Sequence, residues 1–415
     1  MKIAPGTPLH VRLDFGVLPA PRVGRLALDR QTAVFEYDRA FIATGIALNP
    51  IDRPRPGLVR PRDPRVFRGL HGVFADSLPD SWGQELVRRR AAKVGIDYNS
   101  LTVLDQLAAV GSRGPGALAY EPHVEAENID EAIDLDALAS ESLAILSGAA
   151  SDVTPQLRQL GGSSGGARPK VLVAMNDRQR MVAGLRELPP GYHPWIVKFR
   201  TSSDFIDIGS LEAAYADMAR AAGLDVAPTV LIPGKNGGYF ATRRFDRTDD
   251  GGRRHMLSAA GALEIDFATP AIDYMQLLAL TRALTNSAAD VMRVLRRMIF
   301  NVLAINRDDH AKQHAFLMGP DGRWSAAPSY DLTFASGPGG EHYLAIAGLG
   351  KNVTREAIHA VARSQYLSRK DVDTTIDEVA TAVMNFKHFA KNYDLTNDTL
   401  RAVANEITRQ QRFIE

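Results

Sequence analysis

The chain has no cysteine. That excludes disulfides, thiolate metal sites and a cysteine nucleophile together, and it fits a reducing compartment. Long apolar runs are missing too. Nowhere do about 18 consecutive apolar residues occur, the length a membrane-spanning helix needs. The opening MKIAPGTPLHVRLDF has no apolar core of a secretory signal. A cytoplasmic location with no membrane partner is the expectation. Nor is there an excess of one charge. Lys and Arg number 49 against 48 Asp and Glu, a net +1, which argues against a polyanion-coating protein. Internal repeats and low-complexity tracts are absent. What is present is ordinary globular material, 45% hydrophobic and 23% charged, over 415 residues. That length exceeds one compact core, so two or three packed units are expected.

The first third mixes short alternating runs with turns. LHVRLDF (9–15) and TAVFEYD (32–38) alternate as half-buried strands do. FADSLPDSWGQELVRRRAAKVG (74–95) supplies a turn, a capping Asp80 or Ser81, a helix and a terminating Gly95. GSRGPGALAYEP (111–122) reads as a glycine loop entering a short strand. The acidic stretch 124–142 reads as a connector followed by a helix, which sets borders at 1–123 and 124–246. Residues 165–245 hold four strand patterns, PKVLVAM, WIVKF, PTVLIP and GYFATRRF. One helix interrupts them, SLEAAYADMARAAGL, with Ser210 as N-cap and Gly223 just past its end. Residues 247–415 turn helical. In SAADVMRVLRRMIFNVLAIN (287–306) the positions Val291, Val294, Leu295, Met298, Ile299, Val302 and Leu303 make one apolar stripe, so a buried helix delivers NRDDH to a loop. A strand-rich part followed by a helical part predicts an α+β protein with two lobes, and clefts between lobes are common ligand sites.

Phosphoryl transfer fits the charged residues. It needs a strand-borne lysine, a base near the acceptor hydroxyl and side chains that hold metal. Lys198 stands inside WIVKF. Arg307–Asp308 is followed, after four residues, by Gln313 at the place of the kinase asparagine, and SYDLTF puts Asp331 after a short strand. Glu212, in the next helix, is placed to pair with Lys198. Singly, these are a surface lysine, a residue favouring a helix dipole and turn aspartates. Their joint order is the signal.

GGSSGGARPK (161–170) joins four glycines and two serines to the strand VLVAM, as a loop over phosphates would be. A flexible linker is the plainer alternative. It is not a Walker A loop, since neither Ser nor Thr follows Lys170. The same letters contain G-x-S-x-G, but a nucleophile elbow needs a helix next, and Pro169 and strand residues follow. His310 and His314 have the spacing of two zinc ligands, yet Ala311 stands where H-E-x-x-H needs Glu.

With VFADSLPDSWGQELVRRR, GSRGPGALAY, GGSSGGARPK, WIVKF, RRFDR, NRDDHAKQHAFL and SYDLTF in one order, the chain resembles the HipA family of serine/threonine kinases, toxins of HipBA-type toxin–antitoxin systems. The resemblance implies a bilobal protein-kinase-like fold. An added N-terminal subdomain (1–123) and a strand-rich nucleotide-binding lobe (124–246) would precede an all-helical catalytic lobe (247–415). It implies ATP and Mg²⁺ as cofactors, Asp308 as catalytic base and Asp331 as metal ligand. Gln313, where the family has asparagine, is the departure that leaves the second metal position open. Lys198 would contact the phosphates, and Gly165, Gly166, Ala167, Arg168, Pro169 and Lys170 would cover them. Arg243, Arg244 and Phe245 would lie at the adenine hinge, Asp246 near the ribose, and His310, Lys312 and Gln313 along the nucleotide. Ser163, with Ser164 beside it, would be the autophosphorylated loop position. Partners would be a HipB-like helix-turn-helix antitoxin, DNA only through it, and an aminoacyl-tRNA synthetase as protein substrate. A catalytically weak nucleotide-binding partner of a repressor and a small-molecule kinase are the alternatives.

Overall fold

In the computed structural model, the structure describes all residues except 1, 5, 18, 124–132, 151, 162–167, 184–187, 236 and 415. An antiparallel five-stranded sheet opens the chain, in the order Leu58–Val59, Thr32–Tyr37, Arg22–Asp29, Leu9–Leu13, Leu118–Glu121. Alternation in the strand Leu9–Leu13 turns Leu9, Val11 and Leu13 into a core shared with Phe35, Phe74 and Leu107. The strand Arg22–Asp29 has no such clean period to mark it in the sequence. Gly24 explains part of it: a Cβ there would meet Glu36 O at 2.2 Å and the Phe35 ring at 2.7 Å, so only glycine lets the neighbouring strand approach.

A second antiparallel sheet runs Met181–Ala183, Lys170–Met175, His193–Lys198, Tyr239–Arg243, Thr229–Ile232. The helices Leu135–Leu146 and Pro155–Leu160 pack Leu138, Ile145, Leu157 and Leu160 against its Val171, Val173 and Val197. Trp82 and Leu86 of the helix Ser81–Lys93 join this core as well. Asp80, the expected cap, accepts from Gly83 N at 2.7 Å and also pairs with Lys170 Nζ at 2.9 Å, both side chains nearly fully buried. Residues on both sides of the expected border near 123 thus share this second core, while the first sheet keeps its own.

The helix Ile208–Ala221 turns Leu211, Tyr215 and Met218 into the largest core, which the C-terminal helices fill. Its N-cap is Asp207, not Ser210. Ser210 lies inside the first turn and donates to Gly237 O at 3.0 Å, while the Asp207 carboxylate accepts from Thr396 N and Thr399 Oγ1. The α+β class holds, with one correction: residues 247–415 are not all helical. The strands His255–Ser258, Ala315–Met318 and Trp324–Ala326 form a third sheet beside the loop that follows the helix Ala288–Leu303. Every residue of AFLM is buried, so that strand shows no alternation from which its period could be read. Among the described residues no helix is long and apolar enough to cross a membrane.

Candidate active site between the lobes

Lys198 ends its strand, and its neighbour Val197 pairs with Ala241. Its ammonium, 13% exposed, lies 2.8 Å from Glu212 Oε2 and 2.5 Å from Asp331 Oδ1. Sheet, helix and the segment after the third sheet thus meet at one cation. Burial opposes the charge on Lys198, but Asp331 and Glu212 outweigh it and raise its pKa. For Asp331, burial favours the neutral acid, yet Lys198 and a Gln313 hydrogen bond hold the carboxyl far below the usual range. Gln313 Nε2 donates to Asp331 Oδ2 at 2.6 Å, so both oxygens of Asp331 face donors. Asp331 has φ 57, a left-handed conformation that Asp tolerates better than most residues. The second oxygen of Glu212 accepts from Arg168 Nη1 at 2.7 Å, and Arg168 also binds Asp204. A small open pocket lies beside this pair, lined by Arg168, Lys198, Glu212 and Phe240; Asp308 and Asp331 do not line it.

The buried helix Ala288–Leu303 delivers the loop as its periodicity predicts. Ile305 then takes φ 54, a strained choice for a β-branched residue. Its surroundings enforce it: Ala335 N donates to Ile305 O and Asn306 N to Asn301 O, each at 2.9 Å. The two adjacent aspartates divide sharply. Asp309 is buried and accepts from Tyr274 Oη, His342 Nδ1 and Tyr343 N at 2.8–2.9 Å, anchoring the loop from below. Asp308 is 52% exposed. Partial desolvation, followed by the like charges of Asp331 and Asp309, pushes its carboxyl up to about 7. That is where a general base working near neutral pH is best poised.

The other sequence candidates scatter. Lys170, expected over phosphates, is tied to Asp80 in the interior. Arg243 binds His193 and Asp249. Asp246, expected beside a ribose, is 4% exposed and saturated by Gly116 N, Arg244 and Arg247. It is a structural carboxylate that pins the loop before Leu118–Glu121, because two guanidiniums and an amide compete for its oxygens. Arg244 is part of that clamp. Phe245 packs its ring 5.4 Å from that of Tyr330. His310 sits between the rings of Phe267 and Tyr343, and Lys312 Nζ lies 4.7 Å over Phe267. The backbone oxygen of Pro169 accepts from Phe199 N. Ser163, Ser164, Gly165, Gly166 and Ala167 lie outside the described residues. Sequence reasoning missed Asp204, Arg168's hold on Glu212, and Asp309; only the doubled Asp in NRDDH hinted at the last.

A strand amine shared by a helix glutamate and a loop aspartate, with a second, half-exposed aspartate nearby, is the arrangement of a kinase-like fold. Two family models match the chain: the HipA N-terminal domain over residues 17–121 and the HipA-like C-terminal domain over residues 162–386, more than half its length. The chain belongs to the HipA family. Among solved structures it is similar to a chain of the HipA, HipB and operator DNA complex of the Shewanella oneidensis MR-1 toxin–antitoxin system. There the TM-score is 0.68 at 18% identity, covering 97% of this chain and 95% of that one. The proinflammatory kinase CtkA of Helicobacter pylori matches at 12% identity over 54% of this chain and 88% of that one, with a TM-score of 0.36. No curated protein matches it in sequence.

Proposed function

We propose that the chain is an ATP-dependent serine/threonine protein kinase, the toxin half of a toxin–antitoxin pair. One observation carries this reading: Lys198 Nζ lies within 2.8 Å of Glu212 and 2.5 Å of Asp331, beside an Asp308 whose carboxyl is pushed up to about 7 by burial and by Asp331 and Asp309. The oxygen donors fit magnesium. Asp331 offers a carboxylate and Gln313 a carboxamide oxygen, and among the described residues no group of three or more His, Asp or Glu could hold a metal alone. Such a sparse protein site suits an ion that keeps waters and phosphate oxygens as its remaining ligands. When bound there, Mg²⁺ would neutralise charge on the nucleotide phosphates. Lys198, released from Asp331, would turn its donors to the phosphates. Glu212 would hold the amine in place, itself steadied by Arg168. Asp308 would accept the proton of the acceptor hydroxyl. Autophosphorylation at Ser163 or Ser164, an aminoacyl-tRNA synthetase target and a HipB-like helix-turn-helix antitoxin reaching DNA complete the proposal, in a cytoplasmic setting.

Incubation with Mg²⁺ and labelled ATP, alone and with cell extract, tests it. Label in the chain at Ser163 or Ser164, or in one extract protein, is expected; none in either would sink it. Lys198→Ala should cut transfer on the order of a hundredfold, the loss typical of one charge-stabilising donor. A second reading, a nucleotide-binding partner without transfer, is favoured by one feature: Gln313 presents its amide nitrogen to Asp331. Calorimetry that finds ATP binding but no label would select it.

A further inference from the structure

Behind the loop, Arg297 is buried at 5% exposure in the helix Ala288–Leu303, and no carboxylate among the described residues pairs with it. A buried guanidinium without an acid is costly unless something else uses it. Its Nη2 donates to Tyr330 O at 2.9 Å, and its Cζ stands 5.0 Å from the Tyr330 ring centroid. That carbonyl belongs to the peptide joining Tyr330 to Asp331, whose plane sets the left-handed φ of Asp331. The Tyr330 hydroxyl in turn donates to Lys312 O at 2.6 Å, one residue before Gln313. Gln313 then closes the ring by donating to Asp331 Oδ2 at 2.6 Å.

We propose that Arg297 and Tyr330 are positioning residues: a strut that fixes the spacing and orientation of Asp331 and Gln313, the two metal-facing side chains, against the helix beneath. This rests on the kinase reading and adds two residues outside the reacting groups. Neither is among the groups given a part in the transfer itself. Arg297 fixes the peptide before one ligand, Tyr330 fixes the backbone before the other, and Phe245 packs on Tyr330 as well.

The test titrates Mg²⁺ into the full chain with a non-hydrolysable ATP analogue, by calorimetry, so that no turnover is needed. Tyr330→Phe keeps the ring on Arg297 and deletes only the bond to Lys312. Analogue binding without Mg²⁺ should be unchanged, while the Mg²⁺ concentration for half-maximal effect rises on the order of tenfold, as with groups that orient metal ligands. Arg297→Met should raise it further, towards a hundredfold. Arg297→Lys should recover part of the loss, since it keeps the charge and one donor but not the planar fork. Variants that melt lower yet titrate Mg²⁺ as the wild type does would overturn the strut, as would equal losses with and without Mg²⁺. A wild type whose nucleotide binding ignores Mg²⁺ would instead sink the kinase reading, and this inference with it.

Discussion

Asp308→Asn is expected to lower phosphoryl transfer by about a hundred- to ten-thousand-fold, with nucleotide affinity nearly unchanged. The amide keeps the shape but cannot take a proton. The wild type should also show a distinctive pH profile. Partial desolvation, Asp331 and Asp309 push the Asp308 carboxyl up to about 7. A base works only when ionised, so kcat/KM should fall as pH drops through 7, and the midpoint reports the free enzyme. Asp308→Asn should erase that limb from its residual rate. A variant that retains both the rate and the limb would remove Asp308 from the chemistry and turn attention to the acids around it, Asp331 and Asp309.

The second large effect concerns stability rather than rate. Asp246→Ala should destabilise the folded chain by about 3–5 kcal/mol, the usual cost of stripping the partner from buried cations. Asp246 accepts from Gly116 N at 2.7 Å and pairs with Arg244 and Arg247 at 2.7 and 2.8 Å, nearly without exposure. Burial with Arg244 alongside already lowers Arg247 to about 9, and removal of the one carboxylate leaves two guanidiniums facing each other. The pH dependence follows from the sign of the shift. Although burial opposes ionisation, Arg244 and Arg247 hold the Asp246 carboxyl well below its usual range. Its stabilisation is therefore present above the unfolded value of about 3.9 and fades as pH falls below it. Urea denaturation should show the gap to wild type at pH 7 and its narrowing towards pH 3. The exposed Asp177→Ala is the control, expected to move stability by no more than about 0.5 kcal/mol. An Asp246 variant as stable as that control would mean the clamp is solvated and dispensable.

The convergence at Lys198 was legible because the order of charged residues along the chain limits which of them can meet. Lys198, Glu212, Asp308, Gln313 and Asp331 each sit at a position that local pattern marks: a strand end, a helix's first turns, the loop after a buried helix, the turn after a short strand. What the sequence could not show has a common cause. Lys170 and Asp246 carry the same charges as Lys198 and Asp331, and only the packed structure buries them against Asp80 or against Arg244 and Arg247. Strands whose residues are all buried, such as Ala315–Met318, have no alternation to read, so the third sheet went unseen and the C-terminal part was expected to be all helical.

By itself, then, the sequence determined the α+β class, the family and the chain order of the groups that meet at Lys198, because period, capping and motif spacing are local properties written within a few residues. Tertiary structure alone decided which of two adjacent aspartates is buried as an anchor and which is half-exposed with a raised pKa. It alone placed Arg297 behind Tyr330. Those outcomes depend on desolvation and on charges brought together from distant segments, and neither quantity exists until the chain has packed.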